Sequence, residues 1–339
     1  MRLYPSQTLW DSGPAGRCAY ARRDALGSQP LSRAVSAVKR VTVTGATGRI
    51  GTHLVQALKQ RGDEVTVLTR NPERAAEKLG VEAIAWDPKS DGAPAEGLRG
   101  RDAIVHLAGE DVAQRWNDKS KAEILASREK GTRNLITGIF AAEPRPGVLV
   151  GASASGFYGP HGDEIVDETF GPGEDWLSNV CVRWEHHTDA AKLGARVVKI
   201  RTGIVLDKQG GALAKMLPPF KLGVGGPIGR GRQYMPWIHR DDLIGLYLAA
   251  IDHPTFHGPI NGSAPEPVTN KQFAKALGKA LHRPALAPVP GFVIKGLYGQ
   301  MSQIVLTGVR MVPGRAEELG YEFQHPELTE ALRDTLDAG

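Results

Sequence analysis

The 339-residue sequence holds no apolar run near the ~18 residues that a membrane-spanning helix requires, because Gly, Pro or a charge interrupts every long apolar stretch. No helical membrane span is expected. Cysteine is scarce: Cys18 and Cys181 cannot build a disulfide framework, and no Cys/His cluster has zinc-ligand spacing, so no metal is expected. A reducing compartment, and with it a cytoplasmic location, is the simplest reading. Net charge is missing from most of the chain as well. The formal +5 sits in residues 1–40, which carry seven basic and two acidic groups; the rest carries 35 of each sign. That distribution speaks against a nucleic-acid-binding or membrane-binding body and for a small-molecule partner. With 41% hydrophobic residues the chain can bury a large core, as one domain or two, and its oligomeric state is not readable.

Residues 1–38 mix Ser, Gly, Pro and Arg without periodicity and read as a flexible basic leader. Their Arg-rich, acid-poor composition keeps an organelle transit peptide, and so an organelle matrix, as the alternative. Pro5, Pro14 and Pro30 argue against the amphipathic helix such a peptide forms, and no apolar segment suits secretion.

The pattern changes at Lys39. Strands are predicted at 40–44, 64–69, 81–86, 103–107, 148–152 and 195–202, alternating with helices from the glycine turn to Arg61 and over 71–80, 117–142 and 175–192. Ile50, Leu54, Val55 and Leu58 share a face of the first helix; Leu125, Thr132, Leu135, Ile136 and Ile139 share one of the third. Alternation of this kind predicts an α/β fold, a doubly wound parallel sheet covered on both faces. A smaller C-terminal α/β subdomain on the substrate side would complete it, with residues 39–205 and the returning 236–262 as core, and 206–235 and 263–335 as subdomain.

Between the first strand and helix lies Gly45-Ala-Thr47-Gly48-Arg49-Ile50-Gly51. A dinucleotide pyrophosphate needs backbone N–H donors at a helix N-terminus, with glycines wherever a Cβ would block the turn, the phosphate or the helix–strand contact. Flanked by a strand and an amphipathic helix, this triplet indicates dinucleotide binding. The second strand decides which dinucleotide. Where an acidic residue would hold the ribose hydroxyls of NAD, the chain has Thr69-Arg70, and a guanidinium suits a 2′-phosphate. NADP(H) is the expected cofactor.

Thr44–Gly51, His106-Leu107-Ala108-Gly109-Glu110 and Ser153-Ala-Ser-Gly-Phe-Tyr158-Gly159 resemble the extended short-chain dehydrogenase/reductases of the sugar-nucleotide epimerase/dehydratase type. Arg115-Trp116, Trp184-Glu185, Gly210–Leu213, Gly225-Gly226, Trp237-Ile-His239 and the tail from Val312 resemble the branch of that family labelled "epimerase family protein". The resemblance implies a Rossmann NADP-binding domain and a small C-terminal domain. It adds Leu107, Ala108, Gly109, Glu110 and Arg201 to the cofactor contacts.

The usual members of that family use a Tyr-x-x-x-Lys pair in which the lysine helps the phenol exchange a proton. Counted back from Glu185, the Tyr position falls on Leu177 and the Lys position on Cys181, so that pair is missing. The remaining catalytic candidates are Ser153, Tyr158 and Cys181, each with a bland alternative. Ser153 at a strand end is either a carbonyl-binding group or a backbone-satisfied hydroxyl; Tyr158 is a free phenol or a half-buried aromatic; Cys181 is a weak acid or a small core residue. Arg230 and Arg232, in a glycine-rich segment suited to closing over a substrate, read equally as anion contacts or solvated side chains. Trp237 and His239 read as pocket lining or as a structural turn. Two function classes follow: an NADP(H)-dependent oxidoreductase or epimerase with unusual proton transfer, and a non-catalytic NADP(H)-binding sensor or assembly factor.

Overall fold

A computed structural model describes residues 38–337, so the expectations for the leader lie outside the described residues apart from Val38. Seven strands form the central sheet: β1 (Arg40–Thr44), β2 (Glu64–Thr69), β3 (Glu82–Ala85), β4 (Ala103–His106), β5 (Val148–Ala154), β6 (Arg196–Thr202) and β7 (Gly258–Gly262). All pairings are parallel, in the order β7-β6-β5-β4-β1-β2-β3. The chain order reverses between β1 and β4, which opens a crevice at the carboxyl ends of these two strands.

Parallel strands need crossovers, and the helices supply them. On one face α1 (Arg49–Arg61) sets Leu54, Val55 and Leu58 against Val41, Val43 and Val67, and α6 (Arg240–Asp252) adds Leu243, Leu246 and Tyr247 to that core. On the other, α3 (Asp118–Ala141) contributes Leu135, Ile136 and Ile139 to a core with Ile104, Leu149 and Val197. Its N-terminal buried position is Ile124, not the predicted Leu125, which is half-exposed. α2 (Pro72–Leu79) crosses from β2 to β3, and α4 (Trp176–Asp189) from β5 to β6.

After β6 the chain leaves the sheet. Ile204–Leu206 pairs with Trp237–His239, and Tyr234–Met235 with Val268–Thr269, around α5 (Gly211–Lys221), α7 (Asn270–Ala280) and the C-terminal helix Leu328–Asp337. These elements bury Leu213, Phe220, Trp237, Phe273, Leu277 and Leu332 together. Thr269 and Gln272 close the predicted capping box at the start of α7. The glycine-rich segment is packed against the body: Ile228 pairs with Val289, and a Cβ on Gly226 would meet the Ala287 carbonyl oxygen at 2.0 Å. Arg230 and Arg232 are exposed beside it. α8 (Gly291–Tyr298) then leads to Arg310–Met311, which pairs with Ile165–Val166 beyond β5.

Candidate cofactor and substrate site

The glycine turn lies where β1 hands over to α1. Gly45 has φ +70°, a left-handed conformation, and a Cβ there would come within 2.7 Å of the Leu107–Ala108 backbone. At Gly51 a Cβ would meet the Gly45 carbonyl oxygen at 2.4 Å, so the helix can approach the turn only as glycine. Gly48 begins α1 with no capping side chain and no acidic residue in the first turn. The first N–H groups of α1 are thus left for an anion.

Basic side chains frame this turn. Arg49 is half-exposed and sits 3.8 Å from Asp207, with its guanidinium over Gly210. Arg70 is exposed at the end of β2, beside Thr69. Lys78, on α2, donates to the Thr47 carbonyl at 3.1 Å. Sequence reading missed Lys78, and nothing in its spacing from the glycines announces it; α2 folds back over the turn and carries it there. Thr47 is exposed and Ile50 packs against the core. Across the crevice, β4 is followed by Leu107, Ala108, Gly109 and Glu110, the last two exposed. His106, fully buried, is held between the Thr44 and Thr132 hydroxyls at 2.7 and 3.2 Å, and burial pushes its pKa down to about 4.

The three catalytic candidates are all buried. β5 runs two residues past its predicted end, so Ser153 is paired with Arg201 inside the ladder, and its hydroxyl donates to Glu185 Oε1 at 2.7 Å. Tyr158 is completely buried. Its hydroxyl donates to Asn261 Oδ1 at 2.7 Å and accepts from Arg201 Nη1 at 2.9 Å, and burial pushes its pKa up to about 12. Cys181 is buried among Phe157, Tyr158, Val166 and Met311, its thiol pushed by burial up to about 12. Leu177 and Cys181 do share a face of α4. A Cβ on Gly156, in the turn leaving β5, would meet Leu177 at 2.7 Å and the Cys181 sulfur at 3.7 Å.

Arg201, expected on the nicotinamide wall, is instead an internal cation. Nε and Nη2 donate to the two Glu185 oxygens at 2.8 and 2.9 Å, Nη1 goes to Tyr158, and the guanidinium stacks 3.5 Å above the Phe157 ring. Burial works against its charge, and the Glu185 hydrogen bonds more than offset this, raising its pKa. Lys199 joins the same carboxylate at 3.4 Å and Asp189 at 2.9 Å. The available signal was two cations two residues apart, and so on one face, set among the apolar Val197, Val198 and Ile200 of the strand, which demand a buried carboxylate nearby.

Further out, the N-terminal ends of α3 and α4 meet α8 and the segment after it in a cleft of about 640 Å³, whose walls include Trp116, Lys121, Trp176, Lys295 and Gln303. Trp116 and Trp176 meet edge to face at 4.6 Å, and the Lys121 ammonium lies 5.1 Å from the Trp176 ring centre. His239 lies elsewhere. Together with Asp241, His325 and Asp334 it forms a group whose possible ligand atoms lie within 4.8 Å of one another. Its Nδ1 caps α6 by accepting the Asp241 N–H, and Nε2 faces Asp334 at 3.2 Å. A metal on Nε2 would require a proton on Nδ1, where that N–H already points. The group is a hydrogen-bonded clasp between core and C-terminal helix, and Trp237 is likewise core.

With this geometry in place, comparison with known proteins decides the family. Residues 41–261 match the NAD dependent epimerase/dehydratase family. The chain belongs to that family. Residues 289–335 match a domain of unknown function, DUF1731, and cover α8 through most of the C-terminal helix. Among its relatives the chain is 41% identical over 298 residues to the chloroplastic SDR39U1 homologue of Arabidopsis thaliana, covering 86% of this chain and 85% of that one. It is 39% identical over 302 residues to the human epimerase family protein SDR39U1, covering 88% and 99%. The crystal structure of human SDR39U1 with NADPH superposes with a TM-score of 0.79 at 38% identity, over 88% of this chain and 99% of that one. A nucleoside-diphosphate sugar epimerase from Corynebacterium glutamicum gives 0.71 at 34% identity, over 88% and 58%. Among the described residues no helix is long and apolar enough to cross a membrane.

Proposed function

We propose that this chain is an NADP(H)-dependent oxidoreductase or epimerase-like enzyme acting on a small or nucleotide-linked substrate without a Tyr-x-x-x-Lys pair. The observation that carries the cofactor assignment is the uncapped start of α1, framed by glycines that cannot take a Cβ and by Arg49, Arg70 and Lys78. This cradle fits a pyrophosphate with a further phosphate near β2, and the NADPH bound by human SDR39U1 supports the same choice. Gly45, Thr47, Gly48, Arg49, Ile50 and Gly51 would hold the pyrophosphate, Thr69, Arg70 and Lys78 the 2′-phosphate, and Leu107, Ala108, Gly109 and Glu110 would line the crevice opposite. Bound there, the cofactor supplies or accepts a hydride. The cleft at Trp116 and Trp176 supports a planar or anionic substrate, since aromatic faces and ammonium groups meet in it.

A second reading, a non-catalytic NADP(H)-binding protein, draws on one observation. Ser153, Tyr158 and Cys181 are all buried, and the two hydroxyls are already committed to protein partners. The proton in any turnover would then come from water or from the substrate. Stopped-flow oxidation of NADPH against a panel of carbonyl compounds and nucleotide sugars separates the two readings. Turnover that survives Ser153→Ala supports the enzyme without a side-chain acid; tight NADPH binding with no oxidation supports the binding protein.

A further inference from the structure

Four neighbouring strands enter the sheet through basic residues. In the order β6-β5-β4-β1 these are Arg196, Arg145, Arg101 and the pair Lys39-Arg40, each at its strand's start or within three residues before it. The register lines the strand ends up, because Val41 pairs with Ala103, Ala103 with Val148 and Val148 with Arg196. The strands are parallel, so these ends share one edge, and a cavity of about 480 Å³ opens there with all five basic residues in its walls. β1 is five residues long, which at about 3.3 Å per residue puts roughly 16 Å of sheet between this cavity and the glycine turn.

Counter-charge inside the cavity is short. Asp102 and Asp252 are the carboxylates of its walls, and both already serve protein donors: Asp102 accepts the Arg40 backbone N–H at 2.7 Å, and Asp252 binds the Arg61 guanidinium. Arg145 reaches only the exposed Glu143, at 3.7 Å. Arg101 reaches only the exposed Glu82, at 3.6 Å, whose carboxylate already accepts the Thr66 hydroxyl. Pairs of this length on solvated glutamates hold little. The Arg101 side chain is 13% exposed, and its buried Nε has no hydrogen-bond partner among the described residues. Arg196 has a structural task, since its guanidinium donates to the Ala250, Phe256 and Ile251 carbonyls at 2.8, 2.6 and 3.2 Å and closes the end of α6. Burial nevertheless draws its pKa down. That task leaves the Arg101 Nε and the Lys39 ammonium unexplained, and a buried donor left unmade is costly.

We infer that this cavity is a second anion-binding site, taking a compact polyphosphate with Arg101 as its inner contact and Lys39, Arg40 and Arg145 round its rim. Guanidinium groups meet phosphate oxygens in bidentate fashion, and the excess of three positive charges in the walls suits a ligand of several negative ones. The volume suits a small molecule. No aromatic ring lines the cavity among the described residues, so a nucleobase has nothing to stack on and the phosphates carry the recognition. The site lies at the opposite edge of the sheet from the cofactor cradle, and the inference does not rest on the cofactor reading.

The test is titration calorimetry with inorganic tripolyphosphate in the presence of excess NADPH, which occupies the cradle. One saturable event is expected. Arg101→Met should weaken it by about tenfold or more, the loss of one charge-assisted contact, and Arg145→Gln at the rim by about threefold. Arg333→Met, which removes the same unit of charge from the exposed face of the C-terminal helix, should leave it within about twofold. The thermal midpoint of each variant without ligand reports that the fold is intact, and Arg145→Gln carries the test should Arg101→Met not fold. ATP, which bears the same three phosphates, is expected to bind no more tightly than tripolyphosphate. Absence of a saturable event, or equal weakening by Arg333→Met and the cavity variants, overturns the site. ATP binding tenfold more tightly than tripolyphosphate overturns the ligand class.

Discussion

At the start of α1 the backbone donors face no capping side chain and three basic residues gather round without a carboxylate closer than 3.8 Å, whereas at Glu185 a single carboxylate collects Ser153, Lys199 and Arg201. Both regions are rich in charge, and both hold residues whose types suggest chemistry. What separates them is completion. A buried network whose donors and acceptors match holds structure together, because every group is satisfied before a ligand arrives. A cradle with donors to spare is suited to binding.

The largest expected effect breaks the completed region. Arg201→Ala leaves Glu185 buried with only Lys199 and Ser153, and it removes the donor to the Tyr158 hydroxyl, which keeps Asn261. Truncating one side of a buried pair of this kind is expected to lower stability by about 4 kcal/mol. NADPH affinity of the folded fraction should stay within about twofold, since Arg201 belongs to the closed network. Urea titration and calorimetry together check this. A small stability loss joined to a large affinity loss would return Arg201 to the cofactor wall.

The second prediction uses His106, which lies beneath the crevice between the two regions. Its folded pKa is lowered from 6.5 to about 4 by burial. Above pH 6.5 neither folded nor unfolded imidazole holds the extra proton, and the stabilising difference is fully present. As pH falls from 6.5 towards 4 the unfolded state takes up the proton first, and stability drops by about 3 kcal/mol from this group. His239, also lowered to about 4, falls in the same window. His106→Gln should therefore flatten only part of the dependence of the urea midpoint on pH. An unchanged slope in the variant would mean that His106 is not the titrating group.

The cradle is tested by cofactor preference. NADPH should bind at least about tenfold more tightly than NADH, a difference of about 1.4 kcal/mol, and Arg70→Ala should erase most of it. Lys78→Ala should weaken NADPH less, because its ammonium is already shared with the Thr47 carbonyl. Equal affinities in the parent protein would remove the 2′-phosphate from the argument.

The cradle was legible in the sequence because the backbone itself demanded particular residues. Gly45 and Gly51 have no alternative at those contacts, and the spacing follows from the turn. Side-chain partnerships carry no such spacing. Arg201 at the end of a strand looks the same whether it faces a ligand or a buried acid, and only the three-dimensional arrival of Glu185 decides. Ser153 was misplaced by the two extra residues of β5, which put it inside the sheet beside Arg201. Lys78 depended on how α2 folds back, which no local pattern contains.

The smallest expected effect concerns Cys181, and it decides whether the missing lysine was replaced by a thiol or by nothing on α4. The side chain is surrounded by Phe157, Tyr158, Val166 and Met311, and its thiol is held near 12 by burial even with Arg128 and Arg201 nearby. A group that holds its proton so firmly is a poor acid and a poorer nucleophile at neutral pH. Cys181→Ala should then remove only the packing of one sulfur, about 1 kcal/mol of stability, and leave NADPH affinity and any measured turnover essentially unchanged. A proton donor behaves in the opposite way, losing roughly 10²-fold in rate with stability intact. Native-state thiol labelling adds an independent check: a buried, protonated Cys181 reacts at the rate of global or local opening, so its labelling should slow as NADPH stabilises the fold. Rapid labelling that NADPH does not slow would place the thiol in solvent and reopen its role beside the nicotinamide.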